Sequence, residues 1–220
     1  MKAIILAAGH GKRLRPLTET TPKPLLPVNN KPLLSYQLQW LKRAGVREIV
    51  INLHHLAAQI KNYCGDGRRF GVSIRYSYEK ELLETGGGII NALPLLGNEP
   101  FIVLNGDIYT DFPFQNLPKK LPPLTNAHLV LTPKPQQIGK GDFTFADGKI
   151  TSRGNDYIYS GIAVLDPRLL AKFPKKKFSL REPLFEAVHN KQVSGQVWAG
   201  QWTDIGSINE YLKLNRNKDS

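Results

Sequence analysis

Apolar runs of strand length recur along the chain, at Lys2 to Ala8, Glu48 to Leu53, Val72 to Tyr76, Phe101 to Leu104 and His128 to Leu131. Their apolar positions are consecutive rather than alternate, which predicts strands of a sheet covered on both faces. Between the first two runs, Leu34, Leu38 and Leu41 fall at i, i+4 and i+7 within Pro32 to Ala44. That spacing gives a helix one buried stripe, and Gly45 supplies its stop. Leu56 to Tyr63 reads as a second helix, and Gly86 to Leu96 as a third that starts on three glycines and is interrupted by Pro94. Strands alternating with short helices predict an α/β fold with a mainly parallel, doubly wound mixed sheet of Rossmann-like type.

Beyond Asp111 the pattern changes. Pro118, Pro122, Pro123, Pro133 and Pro135 punctuate the chain, and two short alternating segments follow, Asp142 to Phe145 and Lys149 to Ser152. They predict a small antiparallel element laid on the sheet edge. Tyr157 to Leu165 returns as an apolar strand, Leu180 to Asn190 as a helix, Val193 to Ala199 as a strand and Ile208 to Leu214 as a short closing helix. With no repeat, low-complexity segment or linker, residues 1–220 read as a single domain, a size at which one core is the better prior.

Composition narrows the classes of function. Lys and Arg number 30 against 18 Asp and Glu, a formal charge of +12 that suits an anionic partner. The bases are scattered, and the one tight cluster, Lys175-Lys176-Lys177, sits beside Pro174 in a predicted loop. Nucleic-acid binding would call for clustered bases interleaved with aromatics, so a phosphorylated metabolite fits better. Cys64 stands alone, which excludes an intramolecular disulfide and a zinc cluster and favours a reducing, cytoplasmic setting. The apolar run Ala3 to Ala8 is six residues long, too short for a signal peptide core, and no stretch approaches the ~20 apolar residues of a membrane span.

The chemistry is concentrated after the first strand, in Leu6-Ala7-Ala8-Gly9-His10-Gly11-Lys12-Arg13-Leu14-Arg15-Pro16-Leu17-Thr18 and then Pro22-Lys23-Pro24-Leu25. Two glycines so placed let the backbone approach phosphates and turn N–H groups toward them. Lys12, Arg13 and Arg15 add cationic donors. Neither the third glycine of a dinucleotide fingerprint nor the Gly-Lys-Ser/Thr of a P-loop is present, so spacing alone leaves a tight βα turn as an alternative.

Leu6-Ala7-Ala8-Gly9-x-Gly11-x-Arg13-Leu14-x-Pro16-Leu17-Thr18 with Pro22-Lys23-Pro24-Leu25-x-Pro27-Val28 resembles the signature of the sugar-1-phosphate nucleotidyltransferases. The likeness continues through Glu84-Thr85-Gly86-Gly87-Gly88, Asn105-Gly106-Asp107, Ser160-Gly161-Ile162 and Trp202-x-Asp204-x-Gly206, nearly the whole chain. It implies that a sugar-phosphate oxygen attacks the α-phosphorus of a nucleoside triphosphate and expels pyrophosphate. Such a reaction needs positioning and charge neutralisation more than a side-chain nucleophile. Asn105-Gly106-Asp107-x-x-Thr110-Asp111 and Gly139-x-Gly141-Asp142-Phe143 bring the chain nearest to members that use UTP and N-acetylmuramate α-1-phosphate in peptidoglycan recycling. Mannose-1-phosphate guanylyl transfer and glucose-1-phosphate nucleotidyl transfer remain alternatives on the same scaffold.

By this resemblance Lys23, Arg13 and Asp107 are catalytic. Ala8, Gly9, Gly11, Lys12, Arg13, Lys23, Gly86, Gly87, Asn105, Asp142, Ser160 and Gly161 bind nucleotide or sugar, and Asp107 and Asp204 hold Mg²⁺. Taken singly, Asp107 also reads as a turn residue and Asp204 as a helix-start carboxylate. Tyr78 and Glu79 are expected near the base. A Glu-Lys pair that thymidylyltransferases of the family carry beside the sugar phosphate has no counterpart between Asp142 and Ser160, which speaks against a deoxythymidylate product. His54 and His55, being adjacent, point to different faces and read as a strand-to-helix junction rather than a metal pair. Cys64 reads as a packed thiol. A non-catalytic binding subunit would have lost Lys23, Asp107 or Asp204, and all three are present. A monomer or small homo-oligomer is expected.

Overall fold

The computed structural model describes residues 1–135, 138–146 and 148–216. In chain order the elements are β1 (Ala3–Leu6), α1 (Leu17–Thr20), β2 (Pro27–Val28), β3 (Lys31–Pro32), α2 (Leu33–Arg43), β4 (Glu48–Leu53), α3 (Ala57–Cys64) and β5 (Ser73–Tyr78). They continue with α4 (Glu84–Leu96), β6 (Phe101–Asn105), β7 (Ile108–Thr110), β8 (Ala127–Pro133), β9 (Phe143–Ala146) and β10 (Lys149–Arg153). The last are β11 (Tyr157–Leu165), α5 (Arg181–His189), β12 (Val193–Val197), β13 (Trp202–Asp204) and α6 (Ile208–Arg216).

Nine strands form one sheet in the order β5-β4-β1-β6-β11-β8-β12-β10-β9. Consecutive apolar residues in each strand divide between its faces. Ile5, Ile51, Leu104, Val130 and Ile162 share one buried layer with the apolar faces of α2 and α3, while Ile4, Val50, Val103, Leu129 and Ala163 share the other with those of α4 and α5. That two-sided burial is what the unbroken apolar runs predict. A third, smaller cluster of Leu14, Leu26, Val28, Leu33, Ile205 and Leu214 fastens the segment after β1 to the C-terminal helix.

The expectation of a mainly parallel, doubly wound sheet is corrected by the strand directions. β5, β4, β1 and β6 run parallel, but β11 lies antiparallel to both β6 and β8, and β10 antiparallel to β12 and β9. A strand returns parallel only through a connection long enough to cross over. α2, α3 and α4 lie in the connections among the parallel strands β1, β4, β5 and β6, whereas among the described residues no α-helix lies between β8 and β11. α5 joins β11 to β12 at one end of the sheet, so these two are antiparallel although β12 is parallel to β8. The expected small antiparallel element is the β9–β10 hairpin, and it closes the edge of this same sheet, where Phe143 also pairs with Tyr157. Pro94 lies inside α4 instead of interrupting it. Its missing N–H is tolerated because Ile89, Ile90, Ala92 and Leu96 hold the helix against the sheet.

Two features of the fold locate the site. β4 and β6 flank β1 on opposite sides, so the chain reverses its direction of travel across the sheet there, and a crevice opens beyond the carboxyl ends of β1 and β6. A separate two-stranded ribbon of β7 and β13, with Asp204 opposite Ile108, stands beside that crevice. Among the described residues no helix is long and apolar enough to cross a membrane.

Candidate active site

The loop leaving β1 is shaped by Gly11. Its φ of 62° is left-handed, and a Cβ there would come within 2.8 Å of the Thr18 methyl carbon, so glycine is required on both counts. Leu14 N–H and the Thr18 hydroxyl both donate to Gly11 O at 2.8 Å, which closes a tight turn over Lys12 to Leu14. Leu14 is buried in the third cluster while Lys12 and Arg13 stay exposed. One apolar anchor thus turns two cations toward the crevice. At Gly9 a Cβ would meet nothing within 4 Å, so this position is open to a ligand.

Asp107 arrives from the other strand. Gly106 lies against the end of β1, donating to Leu6 O at 2.9 Å, and a Cβ on it would strike that oxygen at 2.5 Å. Ile205 N–H donates to Asp107 O at 3.0 Å, so the β7–β13 ribbon carries Asp107 and Asp204 as a unit. Lys23, from the turn after α1, places Nζ 2.6 Å from Asp107 Oδ2 and 3.8 Å from Asp204 Oδ1. A cleft of about 260 Å³ beside them is lined by Gly9, Gly11, Lys12, Arg13, Lys23 and Asp107. Residues far apart in sequence therefore converge.

The electrostatics of this cluster are unbalanced in one respect. Burial, and then the Asp107 carboxylate, push Asp204 up to about 6, against the opposing pull of Lys23 and Arg13. Asp204 Oδ1 is buried without a hydrogen-bond partner. Two hard carboxylates and an unsatisfied oxygen fit a divalent cation that shares its remaining positions with phosphate and water. Among the described residues no three His, Cys, Asp or Glu side chains converge, so Asp107 and Asp204 would be the whole protein donor set.

A second, more apolar cleft of about 330 Å³ adjoins the first, lined by Ala8, Gly9, Asn52, Thr85, Asn105 and Ser179 among others. Beneath it runs a buried polar chain absent from the sequence reading. Ala7 N–H donates to Asn52 Oδ1 at 2.6 Å, Asn52 Nδ2 to Glu79 Oε1 at 2.7 Å, and Leu83 N–H to Glu79 Oε2 at 2.9 Å. The signal for Asn52 was its place as the one polar residue in Ile49-Val50-Ile51-Asn52-Leu53. Glu79 underlies this cleft as a structural acceptor, and Tyr78 is exposed.

Several residues expected in the site have partners within the protein. Gly86 and Gly87 donate to Phe178 O, and a Cβ on them would strike the Phe178 ring or Lys176 O, so they pack the 174–180 loop onto α4 and leave the cleft to Thr85. The Asp142 carboxylate is taken up by Arg181 and by Tyr159 N–H rather than presented to a ligand. Ser160 Oγ is buried and donates to Val130 O at 2.7 Å. Gly161, at φ 80°, sits in a bulge of β11 where a Cβ would press on Asn105 Nδ2 at 2.9 Å. It packs against Asn105, whose buried Oδ1 has no partner. His54 and His55 do mark a strand-to-helix junction, and His10 joins them at ring distances of 5.4 and 5.0 Å. Cys64 is buried, which pushes its thiol up to about 12 and removes it as a nucleophile.

A glycine-turned cationic loop and a carboxylate pair at the mouth of this α/β sheet define a nucleotidyltransferase, and the chain belongs to the nucleotidyl transferase family, whose model matches residues 2–138. It is 43% identical over 94% of its length to N-acetylmuramate alpha-1-phosphate uridylyltransferase of Neisseria meningitidis, covering 94% of that protein. It is 31% identical to the mannose-1-phosphate guanylyltransferase catalytic subunit beta of Danio rerio, over 96% of this chain but 63% of that one. The fold is shared with a structure described as a glucose-1-phosphate thymidylyltransferase from Bacillus anthracis, at a TM-score of 0.86 and 22% identity over 98% of this chain and 94% of that chain. A UDP-glucose pyrophosphorylase complexed with UDP-glucose matches at a TM-score of 0.78 and 19% identity, over 98% of this chain and 97% of that chain.

Proposed function

We propose that this enzyme transfers the uridylyl group of UTP to N-acetylmuramate α-1-phosphate, with Mg²⁺, in cytoplasmic peptidoglycan recycling. The convergence of Lys23, Asp107 and Asp204 within 4 Å beneath the Gly9–Gly11 loop carries the reaction class. The 43% identity to a protein named for this activity, over nearly equal chain lengths, supports the substrates.

In this reading the Gly11 turn, Lys12 and Arg13 bind the triphosphate, while Lys23 contacts phosphate oxygens as negative charge builds on them. The sugar-phosphate oxygen forms a new bond to the α-phosphorus as the bond to the β-phosphate oxygen breaks. Pyrophosphate leaves with that bonding pair, and no covalent enzyme intermediate forms. Asp107 and Asp204 would hold Mg²⁺, which when bound supplies charge neutralisation to the phosphates. The adjoining cleft over Asn52, lined also by Asn105, takes the nucleoside.

The test is pyrophosphate release across UTP, dTTP, GTP, CTP and ATP, each paired with N-acetylmuramate, N-acetylglucosamine, glucose and mannose 1-phosphates. Release confined to UTP with N-acetylmuramate 1-phosphate is expected. Release with another pair keeps the family and moves the substrates, GTP with mannose 1-phosphate being the arm that the guanylyltransferase relatives suggest. Silence from folded protein that binds a triphosphate would overturn the catalytic reading in favour of a binding subunit.

A further inference from the structure

The turn Asn105-Gly106-Asp107-Ile108 carries one of the two carboxylates, and its backbone is gripped from below by a side chain on α2. Gln37 is fully buried, and its Nε2 donates to Asn105 O and to Ile108 O, both at 3.0 Å. Those two carbonyls bracket Gly106 and Asp107. One amide nitrogen thus spans the turn at both ends, while Gly106 against Leu6 O and Ile205 N–H on Asp107 O hold its middle. The face of the amide is set by its acceptors, since both require a donor and Gln37 Oε1 has no hydrogen-bond partner. A glutamine on the buried stripe beside Leu34, Leu38 and Leu41 is otherwise an expensive choice, because an unpaired buried amide is destabilising.

We infer that Gln37 is a positioning residue of the active site, fixing Asp107 by clamping the two ends of the turn that bears it. The inference rests on the reading of Asp107 as a site carboxylate, and it adds a residue that touches neither phosphate nor cation. Removing the clamp leaves Asn105 O and Ile108 O without their donor and frees Asp107 to drift from Lys23. Outer residues that orient ligating groups typically carry about 10–100-fold in affinity or activity.

The test is a double-mutant cycle of Gln37→Met with Asp107→Asn, read by turnover and by Mn²⁺ binding followed by electron paramagnetic resonance. Gln37→Met alone is expected to lower kcat about 10–100-fold and to weaken Mn²⁺ binding by at least about tenfold, with KM for the triphosphate little changed. In the Asp107→Asn background it should change either quantity by less than about threefold, because residues acting as one unit are non-additive. Equal losses in both backgrounds, or a fall in Tm with unchanged Mn²⁺ affinity, would overturn the positioning role and leave Asp107 in place. Full turnover by Asp107→Asn alone would remove Asp107 from the site and the inference with it. Gln37→Glu keeps the shape and, when neutral, one O–H donor. It is expected to fall between wild type and Gln37→Met, and it serves if the Met variant folds poorly.

Discussion

At the scale of single residues, Asp204 carries the clearest pH dependence. Its folded carboxyl holds a proton more tightly than an unfolded one, so its contribution to stability is full below the ordinary value of 3.8 and is lost as pH rises through about 6. Asp204→Asn removes that loss. In chelator the variant should melt higher than wild type at pH 8, by about 2–4 °C per kcal/mol in a chain of this size. A gain on the order of 1 kcal/mol is expected, since the 40% exposure of the side chain screens the repulsion. The difference should vanish near pH 4, and thermal melts across that range check it. Turnover by the same variant should fall strongly, so stability and activity move in opposite directions. Lys23→Ala should lower kcat at nearly constant KM if its phosphate contact belongs to the transition state, whereas a rise in KM alone would mark a ground-state contact.

Elements set the positions of these residues, and one tight joint is between β4, the 79–83 segment and α4. A Cβ on Gly88 would lie 2.6 Å from Glu79 Oε1 and 2.8 Å from Asn52 Nδ2. Gly88→Ala is therefore expected to destabilise by about 1–3 kcal/mol, through overpacking and a disturbed buried polar chain, despite the better helix propensity of alanine. Denaturant unfolding measures the loss, and weaker triphosphate binding should accompany it because Asn52 lines the cleft. Element positions were legible where periodicity was strong. Glu48–Leu53 and Tyr157–Leu165 are observed at their expected limits, and α2 within a residue of them. The two-residue strands β2 and β3 and the β7–β13 ribbon were not, because pairings so short carry no period, and the two strands of the ribbon also lie far apart in sequence.

For the molecule as a whole, one sheet buries two apolar layers, and this underlies our proposal that the chain folds as a single domain. Leu38 lies in one layer and Leu184 in the other, both almost fully buried. Leu38→Ala and Leu184→Ala should each cost about 2–5 kcal/mol. With no shared partners, their effects should add within about 0.5 kcal/mol. A single cooperative transition is expected in the double variant, and two separable transitions by calorimetry would count against one domain. The layers also explain how the sheet can be mixed without exposing apolar surface, since α5 covers the antiparallel half as α4 covers the parallel one.

The sequence alone determined which of the longer segments become strands and helices, because burial on one stripe or on two faces is written into the spacing of apolar residues. It also determined the chemical inventory of the site, since Lys23, Asp107 and Asp204 are the groups that meet. Strand direction was decided only in three dimensions, by which connections had room for a crossover. So was the division between residues that face the cleft and residues that support it. Asp142, Ser160, Gly86 and Gly87 are drawn inward because Arg181, Tyr159, Val130 and Phe178 complete their hydrogen bonds. Asn52 and Gln37 gain their importance from partners many residues away. A polar side chain's role depends on which donor or acceptor folding brings to it, and that pairing has no local signature in the chain.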